Sequence, residues 1–219
     1  MKNYRAILFD LDGTLTYSHT GIHACFRYAL EKMGEAPPTK EQLARCIGPS
    51  LMYSFQTFFG LSEEKARQAT AFYRERYAIK GIWENEEIPG AVEMLKRLKE
   101  KGYLLAMATS KPLHFASQIS KKFGFAPYLD VEVGSGMDEK TLATKSAVVA
   151  EVVRLLGVDS SECLMVGDRI HDAEGAKENQ MDCALLRVGY AENEEEFIWS
   201  KPTYVFDGFE ELKAFLLNA

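Results

Sequence analysis

Ala6-Ile7-Leu8-Phe9-Asp10-Leu11-Asp12-Gly13-Thr14-Leu15-Thr16 is the stretch from which the fold can be read. A four-residue apolar run stops at two aspartates spaced one residue apart, and a glycine follows. A short, wholly apolar run closed by a polar turn reads as a strand buried on both faces, as in parallel sheets. Similar runs recur at Tyr103 to Ala108, Val131 to Val133, Cys163 to Val166 and Cys183 to Val188. Between many of them lie segments of helical period, such as Ala91-Val92-Met94-Leu95-Leu98 and Val148-Val149-Val152-Val153-Leu155-Leu156. Gly102 and Gly157 follow these segments, where a glycine helix stop is expected. Tyr204-Val205-Phe206, then Phe209, Leu212, Phe215 and Leu216, reads as a last strand and an amphipathic helix. Strands alternating with helices predict an α/β fold with a parallel sheet wrapped on both faces.

The interval from about Thr16 to Glu87 breaks this rhythm. It offers no clear strand, but helical stretches at Ile22 to Met33, Lys40 to Cys46, Leu51 to Phe59 and Ser62 to Lys80, punctuated by Pro37-Pro38, Gly48-Pro49 and Gly60. The expected organisation is an α/β core domain formed by residues 1–15 and 88–219. A helical subdomain, residues 16–87, is inserted after the first strand and is expected over the sheet end that carries Asp10. The aromatic residues of the insertion, Tyr53, Phe55, Phe58, Phe59, Phe72, Tyr73 and Tyr77, read mainly as its own core.

Composition narrows the function classes. The 219 residues can bury a substantial core, and 47% hydrophobic with 26% charged residues is ordinary for a globular protein. A formal net charge of −6 argues against general nucleic-acid binding, which needs a basic surface. A small phosphorylated substrate is compatible, because a few local cations and a metal reverse the sign inside one cleft. Cys25, Cys46, Cys163 and Cys183 are scattered without a Cys-x-x-Cys pair and read as buried free thiols. The first apolar run is too short for a signal peptide or a membrane span, so a cytoplasmic location without membrane association is expected. No stretch announces an oligomeric interface, and a monomer or weak homodimer is expected.

Four places put polar or charged residues at the C-terminal end of a predicted strand or at the start of a helix, the edge where open parallel sheets bind ligands. They are Asp10-x-Asp12, Met107-Ala108-Thr109-Ser110-Lys111, Lys145, and Val166-Gly167-Asp168-Arg169-Ile170-His171-Asp172. Together they resemble the haloacid dehalogenase superfamily, and more closely its phosphoglycolate phosphatase-like branch. The resemblance covers nearly the whole chain, and its most specific element is Asp10-Leu11-Asp12-Gly13-Thr14-Leu15. It implies a Rossmann-like core with a helical cap, and magnesium-dependent hydrolysis of a small phosphomonoester through an aspartyl phosphate.

Carried over residue by residue, the resemblance makes Asp10 the nucleophile. A carboxylate attacking a phosphate dianion meets like-charge repulsion, so a cation must stand between them. Mg2+ would be held by the Asp10 carboxylate, the backbone carbonyl of Asp12 and Asp168, with Asp172 beside it. Asp12 would be general acid and then general base. The Thr109 hydroxyl and the Ser110 amide would bind the transferring phosphoryl oxygens, and Lys145 would neutralise charge shared by Asp10 and the phosphate. Gly13 would allow a tight turn or close approach of backbone to phosphate. Asp168 and Asp172 also read as helix caps, and Lys145 as a solvated lysine set against the helix dipole.

Lys111, followed by Pro112, either lies beside the phosphate or pairs with an acid. Arg45, with Ile47-Gly48-Pro49-Ser50, resembles a loop that reaches the active site in relatives. It is a candidate contact for an anionic leaving group, or an exposed helix arginine. His19 and His23 have metal-pair spacing but no third ligand in context. A haloacid dehalogenase is disfavoured by Asp12, since a leaving halide needs no proton. A sugar phosphomutase keeps the same core residues. A phospho-aspartate switch of the receiver type carries its aspartate on a later strand and has no helical insertion.

Overall fold

A computed structural model describes every residue except Met1, Glu139, Glu192 and Ala219. The chain divides into two compact units, one of residues 1–16 and 87–219 and one of residues 17–86.

The larger unit is built on a six-stranded parallel sheet. Its strands are β1 (Ala6–Phe9), β4 (Leu104–Pro112), β5 (Val131–Ser135), β6 (Cys163–Gly167), β7 (Asp182–Leu186) and β8 (Tyr204–Phe206), in the order β5-β4-β1-β6-β7-β8. The α/β architecture expected from the sequence is the one observed. β1 is central because all four of its residues are fully buried, a condition only an interior strand meets. It pairs in parallel with β4 (Phe9 opposite Met107) and with β6 (Phe9 opposite Val166). The three strand ends that carry the polar motifs therefore lie side by side.

Alternation along the strands divides the core into two layers. Ala6 and Leu8, Ala106 and Ala108, Cys163 and Met165, and Cys183 and Leu185 face one side. There they pack with Val148, Val149 and Val152 of α7 (Lys145–Leu156), Ala173 and Ala176 of α8 (Ile170–Glu178), and Phe197 of α9 (Glu194–Ser200). The intervening residues, Ile7, Phe9, Leu105, Met107, Leu164 and Val166, are equally buried. α5 (Ala91–Lys101) packs against β4 and against α10 (Phe209–Leu217), and the Tyr103 hydroxyl donates to the Leu216 carbonyl at 2.7 Å. Gly102 and Gly157 end α5 and α7 in the left-handed conformation, as their positions predicted.

β4 runs four residues beyond the apolar core of its run, through Thr109, Ser110, Lys111 and Pro112, with a register shift against β5 between Thr109 and Pro112. α6 (Leu113–Phe123) then follows. Such an irregularity at a strand end re-aims side chains without unpairing the strand. α9 was not legible in the sequence. Its seven residues hold only Phe197 as a buried apolar anchor, while Ile198 and Trp199 are exposed.

The smaller unit is helical: α1 (His19–Lys32), α2 (Lys40–Ala44), α3 (Leu51–Thr57), α4 (Glu63–Arg76) and a π-helical turn, Tyr77–Gly81. Thr39, Ser50 and Ser62 cap α2, α3 and α4 by accepting backbone N–H groups. Its core is aromatic. Phe26 lies 4.9 Å from Phe55 and 5.0 Å from Tyr73, ring to ring, each pair worth about 0.5–1.5 kcal/mol beyond area burial. Tyr53, by contrast, is exposed. Two short strands, β2 (Thr16–Tyr17) and β3 (Glu86–Glu87), pair with each other where the chain passes between the units. Two residues are too few to give an alternation signal, which is why this interval read as strand-free.

All four cysteines are buried thiols. Among the described residues no helix is long and apolar enough to cross a membrane.

Candidate active site

β1 delivers Asp10 directly beyond its last ladder residue, and the Asp10 N–H continues the ladder by donating to the Val166 carbonyl at 2.9 Å. Asp10 is 9% exposed. Its carboxylate meets Lys145, the first residue of α7. The buried stripe of that helix is Lys145, Val148, Val149 and Val152, so helical period alone turns the lysine inward. The Thr144 hydroxyl caps the helix by accepting the Ala147 N–H at 3.2 Å.

The Lys145 ammonium donates to Asp10 Oδ1 at 2.7 Å and to the Ala108 carbonyl at 3.0 Å, and it forms an ion pair with Asp172 Oδ1 at 2.9 Å. Burial alone would depress its proton affinity, but Asp10 and Asp172 more than reverse this and hold the ammonium above its ordinary range. The solvated-lysine reading therefore does not describe Lys145.

Asp168 comes from the turn between β6 and α8, and Asp172 from the first turn of α8. Asp168 is fully buried; its Oδ2 accepts the Tyr190 N–H at 2.6 Å and its Oδ1 the Thr14 hydroxyl at 3.3 Å. Asp172 Oδ2 accepts the N–H groups of Asp168 and Arg169, both at 3.1 Å. The capping expected of Asp172 is thus real, and its other oxygen still faces Lys145.

Carboxylate oxygens of Asp10, Asp168 and Asp172 lie within 4.8 Å of one another, the sole such grouping of potential metal ligands among the described residues. Burial, set against the pull of Lys145, pushes Asp10 up to about 6. Burial, reinforced by Asp172 and Asp10, pushes Asp168 well above the carboxylate range. One lysine does not balance three buried carboxylates, and an oxygen-only donor set suits a hard divalent cation that keeps some of its waters. The residues fit such an ion.

Asp12 carries its own partner. Its Oδ2 accepts from the Lys111 ammonium, and its Oδ1 is buried with no hydrogen-bond partner. Pairing with an acid is one of the two readings open for Lys111. Thr109 is buried at the end of β4, and its hydroxyl accepts the Lys111 N–H at 3.2 Å. Ser110 follows it, and its carbonyl accepts the Ser135 hydroxyl at 2.8 Å.

Gly13 has φ +87°, and a Cβ there would lie 2.2 Å from Asp168 Oδ2. Its lack of a side chain makes room for that carboxylate. Arg45 belongs to the helical unit, exposed, with its guanidinium 4.5 Å from the centre of the Phe58 ring. Ser50, in the loop after it, caps α3 by accepting the Tyr53 N–H. His19 and His23 lie ring to ring at 6.0 Å.

Three contributors are not signalled by the sequence: the Thr14 hydroxyl, the Tyr190 amide and Glu196 of α9. Gly189, following the β7 run, was the available signal for the Tyr190 loop, since a Cβ there would also lie 2.2 Å from Asp168.

A model of the family described as haloacid dehalogenase-like hydrolase matches residues 7–186. A 5'-nucleotidase of Pseudomonas aeruginosa is 36% identical over 201 residues, spanning 92% of this chain and 90% of that protein. Phosphoglycolate phosphatase 1 of the same organism is 28% identical over 215 residues, spanning 95% and 78%. The crystal structure of a predicted phosphatase from Clostridium acetobutylicum matches over 100% of both chains, with a TM-score of 0.94 and 35% identity.

Proposed function

The chain belongs to the haloacid dehalogenase-like hydrolases, and from that premise we propose that it hydrolyses a small phosphomonoester at Asp10 with the help of Mg2+. The observation that carries the reading is the convergence of Asp10, Asp168 and Asp172 at one sheet edge, with Lys145 against Asp10 and Asp172 and Asp12 held separately by Lys111.

An Asp10 oxygen attacks phosphorus as the bond to the leaving oxygen breaks. Asp12 gives that oxygen its proton. Water then attacks the aspartyl phosphate, Asp12 takes a proton from it, and the phosphorus–Asp10 bond breaks to release phosphate. Lys145 orients Asp10 through Oδ1 and offsets negative charge. The Thr109 hydroxyl and the Ser110 amide are assigned to the transferring phosphoryl oxygens. Asp10, Asp168 and the Asp12 carbonyl, with Asp172 nearby, would hold the Mg2+, which when bound screens the repulsion between nucleophile and phosphate. Arg45 is assigned to the substrate's distal anionic group. Residues 17–86 act as the cap that selects substrate.

Phosphoglycolate is one named candidate, supported by the phosphoglycolate phosphatase relative. A nucleoside 5'-monophosphate is the other, supported by the 36% identical 5'-nucleotidase. Phosphate release across metabolite phosphates with Mg2+, compared as kcat/KM, decides between them. One dominant compound names the substrate, and a flat profile indicates a generalist. Asp10→Asn is expected to abolish turnover with the fold retained, and a Mg2+-dependent, active Asp10→Asn protein would overturn the mechanism.

A further inference from the structure

Arg169 and Glu196 form an ion pair that the proposed chemistry does not use, yet each is only 6% exposed. Glu196 Oε1 accepts from Arg169 Nε at 2.8 Å and from the Ile170 N–H at 2.8 Å. The Asp168 and Arg169 N–H groups, immediately before, are taken by Asp172. Three successive amides of the turn are therefore held, two from inside by Asp172 and the third from outside by α9.

The segment carrying Glu196 also grips the turn a second time, through the Tyr190 N–H on Asp168 Oδ2 at 2.6 Å. Glu196 is itself fixed, because its N–H is accepted by the Asn193 side chain at 3.1 Å at the start of α9.

A buried ion pair is a poor source of net stability, since desolvation consumes most of the Coulombic gain. Its effect here is geometric. Asp168 and Asp172 project from five consecutive residues, and a small hard cation tolerates little displacement of its oxygen donors. Gly167 shows how little room there is, since a Cβ on it would lie 2.2 Å from Asp172 Cγ.

We infer that the Arg169–Glu196 pair positions the Asp168–Asp172 turn, so that α9 sets the affinity of this turn for a divalent cation. The inference rests on reading Asp10, Asp168 and Asp172 as a cation site. Both residues are positioning residues and neither touches the reacting atoms.

The test is calorimetric titration of the full chain with Mg2+ and with Mn2+, alongside melting in EDTA. The Arg169→Met/Glu196→Leu variant exchanges the pair for apolar side chains, which commonly leaves stability unchanged or raised. Its metal Kd is expected to rise about 10–100-fold, as for other residues that orient metal ligands. Glu196→Gln keeps an acceptor for Ile170 and is expected to show a smaller rise, and it provides the measurement if the double variant does not fold. Unchanged Kd in a folded variant overturns the inference and leaves the cation site standing. A wild-type chain that binds neither metal overturns both.

Discussion

Lys145→Met removes an ammonium while keeping much of the stem's volume, and the structure specifies what is lost. Lys145 donates to Asp10 and to the Ala108 carbonyl and forms an ion pair with Asp172, so two buried carboxylates lie against it. Breaking a buried ion pair from one side costs about 3–5 kcal/mol. In a chain of this size each kcal/mol shifts Tm by roughly 2–4 °C, so metal-free protein should melt about 6–20 °C lower. The loss must depend on pH with a definite sign. Asp10 is already pushed up to about 6 against the opposing pull of Lys145, and without that pull it rises further. A carboxyl whose folded-state pKa is raised contributes stability below its unfolded value of about 4 and loses it as pH climbs through the folded value. The deficit of the variant should therefore be largest near about pH 8 and shrink towards about pH 5. Urea unfolding in EDTA at several pH values measures this directly. A pH-independent loss, or one under about 1 kcal/mol as for an exposed pair, would refute the reasoning. With Mg2+ present, phosphate release should fall about 10²–10³-fold, the scale of losing one electrostatic stabiliser. Lys145→Arg should not restore it, because a planar guanidinium does not reproduce the compact ammonium that bonds Asp10 and the Ala108 carbonyl and pairs with Asp172.

Asp12→Ala is expected to lower kcat/KM about 10²–10⁴-fold for alkyl phosphates and little for 2,4-dinitrophenyl phosphate, whose leaving group needs no proton. Lys111→Met should show the same leaving-group pattern at smaller amplitude, because Lys111 holds Asp12; a uniform fall across substrates would point instead to a phosphate contact. Gly13→Ala forces a Cβ towards Asp168 at a left-handed φ, so about 1–3 kcal/mol of stability and a measurable part of the metal affinity should be lost in thermal and calorimetric assays. An undisturbed Gly13→Ala protein would show that the Asp168 carboxylate does not need that space.

Much of the site was legible because its strands announce themselves locally. Ala6 to Phe9 and Cys163 to Val166 are compact apolar runs, and whatever follows such a run in a parallel sheet stands at the ligand-binding edge. That rule marked the stretches holding Asp10, Asp12 and Asp168, and the family resemblance assigned the individual aspartates their roles. Lys145 was legible as a position, being the first residue of an apolar helical stripe, but its near-complete burial was not. α9 and the short β2–β3 pair were missed because neither is long enough to develop a period.

The sequence by itself determined the alternation of strands and helices, the helical interval between them and the identity of the acidic residues, since all of these are properties of neighbours along the chain. Tertiary structure alone decided the pairings: Lys111 with Asp12, Lys145 with Asp10 and Asp172, and Arg169 with Glu196. Lys111 and Asp12 stand 99 residues apart, and the sequence left the choice between phosphate and acid open. The physical reason is that a charged side chain's partner depends on which strands become neighbours and in what register. Its ionisation then depends on how completely those neighbours exclude water, and neither is written in the residues beside it.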